Sequence, residues 1–193
     1  MSALNTTTAW GSVAKLLHWI VGLLIVEQLI SGFLRHWKVI DNPTWNAVYA
    51  WLHLPLGFSV LVLAVFRLTW RMAQEHPELP ANMTWWERLG ANGTHVYLYA
   101  IMFAMPLTGW IGFNAINLDV NPFGVMLPRL ISDAKPLAFK AAAIHLWLGY
   151  GIVLALAFHV VGAAVHHWSR RDDVLTAMLP RFAQGWAMFR RGN

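Results

Sequence analysis

At 193 residues, with 58% hydrophobic and only 12% charged residues, the chain has far less charge than the roughly 25% typical of a soluble domain. It contains no cysteine, which excludes disulfides, iron–sulfur clusters, thiolate ligands and cofactors attached through thioethers. The formal charge of +5 does not point to nucleic acid, because Arg170, Arg171, Arg181, Arg190 and Arg191 follow a hydrophobic segment and suit a lipid surface better.

Long apolar blocks alternate with short polar ones, which predicts an all-α fold: a transmembrane four-helix bundle forming one membrane domain over 1–193. The first spanning helix is predicted over 15–35, where an apolar run from Leu16 to Leu34 lies between Lys15 and Arg35-His36-Trp37-Lys38. A cleaved signal peptide is its rival. The length of the run, the lack of a clean small-residue cleavage site, and His18 and Glu27 within it favour a retained helix. Residues 36–50 make a short connection. The second helix is predicted over 50–70, apolar from Trp51 to Leu68, with Arg67 and Arg71 at its far end.

Residues 72–92 hold Pro77, Pro80 and a Trp85-Trp86-Glu87 patch expected to lie in the membrane interface. The third helix is predicted over 93–113 and contains Pro106, which a spanning helix tolerates where its neighbours satisfy the freed carbonyl. Residues 114–140 form the longest connection, with Pro122, Pro128 and Pro136, and are expected to be irregular or briefly helical. The fourth helix is predicted over 141–166, and 167–193 reads as a basic, amphipathic tail resting on the membrane surface. Of twelve tryptophans, most fall near predicted segment ends, where an aromatic belt places them.

Basic residues set the direction. With the N-terminus inside, the cytoplasmic side receives Lys15, Arg67, Arg71, Arg88, Arg170, Arg171, Arg181, Arg190 and Arg191. The opposite side receives Arg35, Lys38, Arg129, Lys135 and Lys140. The excess places both termini in the cytoplasm.

Five of the nine histidines, His18, His53, His95, His145 and His159, lie in or at the start of spanning segments. An imidazole in hydrocarbon is costly unless it is paired or ligated. His145 and His159 are fourteen residues apart, nearly four helical turns and roughly 21 Å, so both share one face at opposite depths. The assigned direction brings His18 level with His159 on the cytoplasmic side, and His53 level with His145 on the outer side. A six-coordinate haem needs one such pair. Each candidate ligand also has a glycine three or four residues on, Gly22, Gly57, Gly149 and Gly162, which leaves clearance for a flat macrocycle. Glycines also serve close helix packing.

His95 has Tyr99 four residues on and reads as a hydrogen-bonding group near the inner haem or a quinone rather than as a ligand. His166 and His167 read either as quinone or proton-transfer groups or as interfacial anchors. Clustered zinc or di-iron sites fit less well, because the pairs are far apart and Glu27 is the only carboxylate deep in a segment. Glu27 lies half a turn from His18's face and has no assigned partner.

The chain resembles the bacterial dihaem cytochrome b561 family. The resemblance rests on Lys15-Leu16-Leu17-His18-Trp19, His53-Leu54-Pro55-Leu56-Gly57, Leu63-Ala64-Val65-Phe66-Arg67-Leu68 and Gly93-Thr94-His95. It continues through Ala104-Met105-Pro106-Leu107-Thr108-Gly109, the His145…His159 pair, Val165-His166-His167-Trp168 and Leu179-Pro180, covering most of 12–180. It implies two haem b groups, held by His18 with His159 and by His53 with His145, in a multi-pass protein of the bacterial inner membrane. It also implies electron exchange with ubiquinone, superoxide being one donor used in the family. Arg129, Lys135 and Lys140 of the outer connection would attract such an anion. Two other readings stay open: a haem-bearing anchor passing electrons between a partner dehydrogenase or hydrogenase and quinone, and a transport or structural bundle without haem.

Overall fold

A computed structural model of the chain describes residues 2–39, 42–180 and 183–184. Arg190 and Arg191 of the expected basic tail, together with Arg181, lie outside the described residues. The fold is all-α. Four long helices, α1 (Ser12–His36), α2 (Pro43–Ala73), α3 (Trp85–Ala115) and α4 (Lys135–Val165), are followed by a π-helical turn (His166–Arg170) and the short α5 (Val174–Met178). A single 3-10 turn, Pro122–Gly124, interrupts the otherwise irregular 116–134 connection. Each of the four long helices is long and apolar enough to cross a membrane.

The helices run past their apolar stretches because local polar chemistry starts them earlier. α2 begins with Pro43 at its first position, and Asn42 Oδ1 accepts from the Trp45 N–H at 2.7 Å. α3 begins at Trp85, where the Glu87 side chain reaches back to Thr84 as the carboxylate half of a capping box does. The Glu87 carboxylate accepts from both the Thr84 backbone N–H and its hydroxyl, each at 2.7 Å. Trp85 and Trp86 are therefore the exposed first turn of a helix rather than part of a connecting loop.

Long apolar side chains point outward along these helices. Leu154 and Phe158 on α4 are 60% and 64% exposed, which suits lipid and not water. Between Lys140 and His159 only His145, Trp147 and Tyr150 carry polar side-chain atoms. α4 is thus apolar nearly all round, and its two histidines stand out chemically.

The chain divides into two compact units, and each long helix contributes to both. Unit 1 comprises Met1–Ile20, Phe66–Leu98 and Leu154–Asn193. Its amino-terminal segment is anchored by buried Asn5, whose Nδ2 donates to Glu75 O at 3.0 Å and whose Oδ1 accepts from the Gly11 N–H at 2.9 Å. The end of α5 is tied to α1, where Trp19 Nε1 donates to Met178 O at 2.9 Å. Arg170 pairs with Glu87 at 2.5 Å, joining the π-turn to the first turn of α3.

Unit 2 comprises Val21–Val65 and Tyr99–Val153. Val21, Val60, Ala64 and Met102 form its buried core, with Leu24, Ile25, Leu63, Tyr99 and Phe103 packed against it. The 116–134 connection folds back on fully buried Asn114, whose Nδ2 donates to Leu118 O at 3.0 Å while its Oδ1 accepts from the Leu130 N–H at 2.9 Å. Arg129 is clamped to Asp119 at 2.6 Å and to Asn117 O at 3.2 Å. Its charge is already engaged, whereas Lys135 and Lys140 at the start of α4 are exposed and, among the described residues, in no ion pair.

Candidate haem-binding sites

Within unit 2, α2 and α4 bring His53 and His145 together, with ring centroids 6.3 Å apart and planes at 64°. Both rings have an ordered partner at Nδ1. The Ser31 hydroxyl lies 3.3 Å from His53 Nδ1 and donates its own proton to Gln28 O at 3.4 Å. The Thr108 hydroxyl lies 3.0 Å from His145 Nδ1 and donates to Met105 O at 2.8 Å. A hydroxyl has one proton. With that proton committed to a helix carbonyl, each oxygen accepts, so Nδ1 carries the hydrogen on both rings. The Nε2 lone pairs are then available to a metal, the tautomer that second-shell bonding imposes on ligating histidines.

The two rings also lie against small residues of neighbouring helices. A methyl group at Gly32 would sit 3.5 Å from His53 Cε1, and one at Gly109 would sit 3.4 Å from His145 Cε1. Tyr49 stacks on His53 at 4.7 Å and 27°.

Within unit 1, α1 and α4 bring His18 and His159 together at 5.9 Å and 50°. α3 adds His95, whose ring is 5.3 Å from that of His159. The partner of His18 Nδ1 is Nη2 of Arg67 on α2, at 3.1 Å. Two imidazoles bound by one nitrogen each to a single first-row metal, at about 2 Å per bond plus roughly 1 Å from nitrogen to ring centre, stand about 6 Å apart. Both couples match that spacing. The tautomers of His53 and His145 suit a metal as they stand, whereas the guanidinium only donates and leaves the His18 proton on Nε2, so iron there would require Arg67 to release Nδ1.

The four glycines beside the candidate ligands differ in what surrounds them. A methyl group at Gly22 or at Gly162 would meet nothing within 4 Å, the open space a macrocycle edge requires. At Gly57 it would meet Gln28 Oε1 at 3.2 Å, and at Gly149 Phe33 Cζ at 3.7 Å. The clearance expected beside His53 is therefore taken up by the Gln28 amide. That amide in turn donates to Glu27 Oε2 at 2.7 Å, which supplies the acid with the partner that spacing alone did not assign.

His166 and His167 are 9% and 4% exposed, so neither is an exposed interfacial anchor. His166 Nδ1 and Asp172 Oδ2 are 2.5 Å apart, and both side chains are nearly buried. The π-helical turn and the left-handed Arg171 (φ 56°) fold the chain back so that Asp172 reaches His166. Ser31, Thr108, Arg67 and Asp172 were not singled out for function from the sequence. Only a hydroxyl or a charge inside an apolar run could have marked the first three.

The chain matches the prokaryotic cytochrome b561 family over residues 9–181. It is 26% identical over 191 residues to cytochrome b561 homolog 2 of Escherichia coli (strain K12), covering 97% of this chain and all of that protein. It is 27% identical over 172 residues to cytochrome b561 homolog 1 of the same strain, covering 86% of this chain and 93% of that one. A protein of Yersinia pestis named probable superoxide oxidase CybB is 25% identical over 169 residues, covering 86% and 92%. With four helices able to span a membrane, the chain belongs to the prokaryotic cytochrome b561 family, electron carriers embedded as multi-pass proteins in the bacterial inner membrane.

Proposed function

We propose that this protein is a dihaem b-type oxidoreductase that takes electrons from superoxide and delivers them to ubiquinone. The observation that carries the reading is the presence of two imidazole couples, His18 with His159 and His53 with His145, each spaced for one iron. A haem b held by two imidazoles supplies a one-electron couple whose potential its ligands and surroundings tune.

The chain's own residues do the rest. Ser31 and Thr108 hold the ligand tautomers of His53 and His145. Gly22 and Gly162 keep open space beside His18 and His159, and Gly57 and Gly149 are the small neighbours of the other two ligands. The positive-inside bias puts both termini, His18 and His159 on the cytoplasmic side, with His53 and His145 on the outer side. Exposed Lys135 and Lys140 then face the compartment from which an anionic donor arrives.

Two superoxide ions lose one electron each and leave as dioxygen; two electrons and two protons convert ubiquinone to ubiquinol. The protons fall to His95, beside His159, and to His166, with His167 next to it. Asp172 accepts from His166 Nδ1 and leaves Nε2 to exchange a proton. The likeness to a protein named probable superoxide oxidase favours superoxide as the donor.

The purified protein should show a reduced-minus-oxidised b-type spectrum with two haems per chain. Replacing His18 or His159 should remove one haem, and replacing His53 or His145 the other. Stopped-flow mixing of oxidised protein with superoxide, and of reduced protein with ubiquinone, should each change the haem spectrum. A chain without haem would leave a transport or structural bundle. Two haems that respond only when a partner dehydrogenase is added would make the protein an anchor subunit.

A further inference from the structure

We infer that Arg35, Tyr49 and Trp45 form the site for a carboxylate of the macrocycle bound between His53 and His145. This inference rests on the dihaem reading above.

Haem b carries two carboxylates on one edge. A carboxylate left in hydrocarbon costs far more than one that meets donors, so that edge goes where donors are. The register of α1 against α2 shows where they lie. The two helices run antiparallel, since Gln28 meets Gly57 and, about one turn on, Ser31 meets His53. The next turn along the same faces sets Arg35 opposite Tyr49. Tyr49 stacks on His53 at 4.7 Å, and Arg35 is the leading charge acting on it. One turn further out, Trp45 shares the α2 face of Tyr49 and His53.

These three side chains have hydrogen-bonding capacity to spare. Trp45 Nε1 is buried and meets no acceptor among the described residues. An indole N–H only donates, and leaving it buried and unpaired is costly. Arg35 is half-buried at the end of α1, and its side chain is in no ion pair among the described residues. Glu27, the one acid of α1, lies two turns further in, and its Oε2 already accepts from Gln28. A cation in the last turn of a helix also meets the helix dipole, but that leaves the Trp45 N–H without an acceptor. A carboxylate satisfies both: the guanidinium takes it in a two-pronged grip, and the phenol and indole add single donors.

The test is haem release from purified holoprotein to an excess of haem-free globin, for wild type, R35Q and R35K, after counting haems per chain. The spectral component missing from a variant carrying both H53A and H145A identifies the group in question. R35Q should lose that group about ten- to a hundredfold faster, the worth of one hydrogen bond to a charged group, while the other leaves at the wild-type rate. R35K keeps a cation and should fall between. Wild type loaded with haem dimethyl ester, which has no free carboxylate, should release it at the R35Q rate, and R35Q should not distinguish the two. If R35Q does not accumulate, Y49F and W45F decide, because each removes one donor and should speed release of the same group. Release unchanged in these variants, or a diester held as firmly as haem by the wild type, overturns the inference. So does an R35Q protein that holds its haem but reacts more slowly with superoxide, because Arg35 then serves the free anion. Fewer than two haems in wild type refutes the dihaem reading instead, and the haem count shows that before any release is measured.

Discussion

The Nδ1 atom of His145 lies 3.0 Å from the hydroxyl of Thr108, which itself donates to Met105 O at 2.8 Å, so the oxygen accepts the imidazole's proton. Pro106 lies between those two residues. The segment Met105-Pro106-Leu107-Thr108-Gly109 is thus a mounting for the ring: a carbonyl to orient the hydroxyl, a hydroxyl to orient the imidazole, and a glycine to admit it. Substituting Thr108→Val removes the acceptor and strands a buried N–H. Outer-shell changes of this kind cost 10–100-fold in affinity. T108V should therefore weaken retention of one haem by about that factor, read as haem per chain after dilution into haem-free detergent, while T108S stays close to wild type. S31A should do the same at His53. Equal retention in all variants would show that the hydroxyls do not hold the ligands.

The pairing of His166 with Asp172 has a separate consequence. Asp172 Oδ2 faces His166 while its Oδ1 accepts from the Val174 N–H at 3.1 Å, so D172N can keep the backbone contact while the ring loses its anionic partner. Positioned acid–base groups contribute about 10²–10⁴-fold. D172N should slow ubiquinol formation by about tenfold or more, with haem content and spectra unchanged and electron entry from superoxide intact. An unaltered ubiquinol rate would remove this dyad from the proton path.

The four helices were legible because twenty-residue apolar runs have few alternatives, and the histidines because fourteen residues bring an α-helix back to the same face. The helix starts were less legible. Gly90, Asn92 and Gly93 break the apolar pattern ahead of His95, yet α3 begins at Trp85, where Glu87 reaches back to Thr84. The T-x-x-E pattern was present but lay outside the hydrophobic run being followed. The hydrogen-bond partners of the candidate ligands were not legible at all. Arg67 meets His18 and Thr108 meets His145 from different helices, and no periodicity within one helix encodes which residue of another lies beside it. Gly57 shows the same limit, since its place beside His53 was readable but the Gln28 amide that fills the space was not.

Asn114 gives a stability prediction. It is fully buried at the end of α3 and satisfies both Leu118 O and the Leu130 N–H across the 116–134 connection. N114A leaves two backbone groups without partners and opens a small void. A buried group left unsatisfied costs about 1–3 kcal/mol. N114A should lower the apparent Tm in detergent and expose 116–134 to proteolysis. N114D can still accept from Leu130 but cannot donate to Leu118, so it should be intermediate at best. An N114A protein as stable as wild type would mean that the connection is held elsewhere.

The Asp119–Arg129 clamp makes the same connection sensitive to acid in a defined direction. The hydrogen bond from Arg129, with its charge, holds the Asp119 carboxyl below its ordinary value, and Asp119 in turn raises the guanidinium. A carboxyl lowered in the folded state contributes stability above its unfolded value, about 3.9, and loses it as pH falls through the folded value. The wild-type connection should therefore hold its hydrogen-exchange protection, corrected for intrinsic rates, from neutral pH down to about 4 and lose it only below. D119N should be less protected near neutral pH, lack the acid step and converge with wild type below it. The pair is exposed, so high salt should narrow the gap between the two proteins. Protection lost already near neutral pH, or identical profiles in wild type and D119N, would show that the clamp does not order the connection.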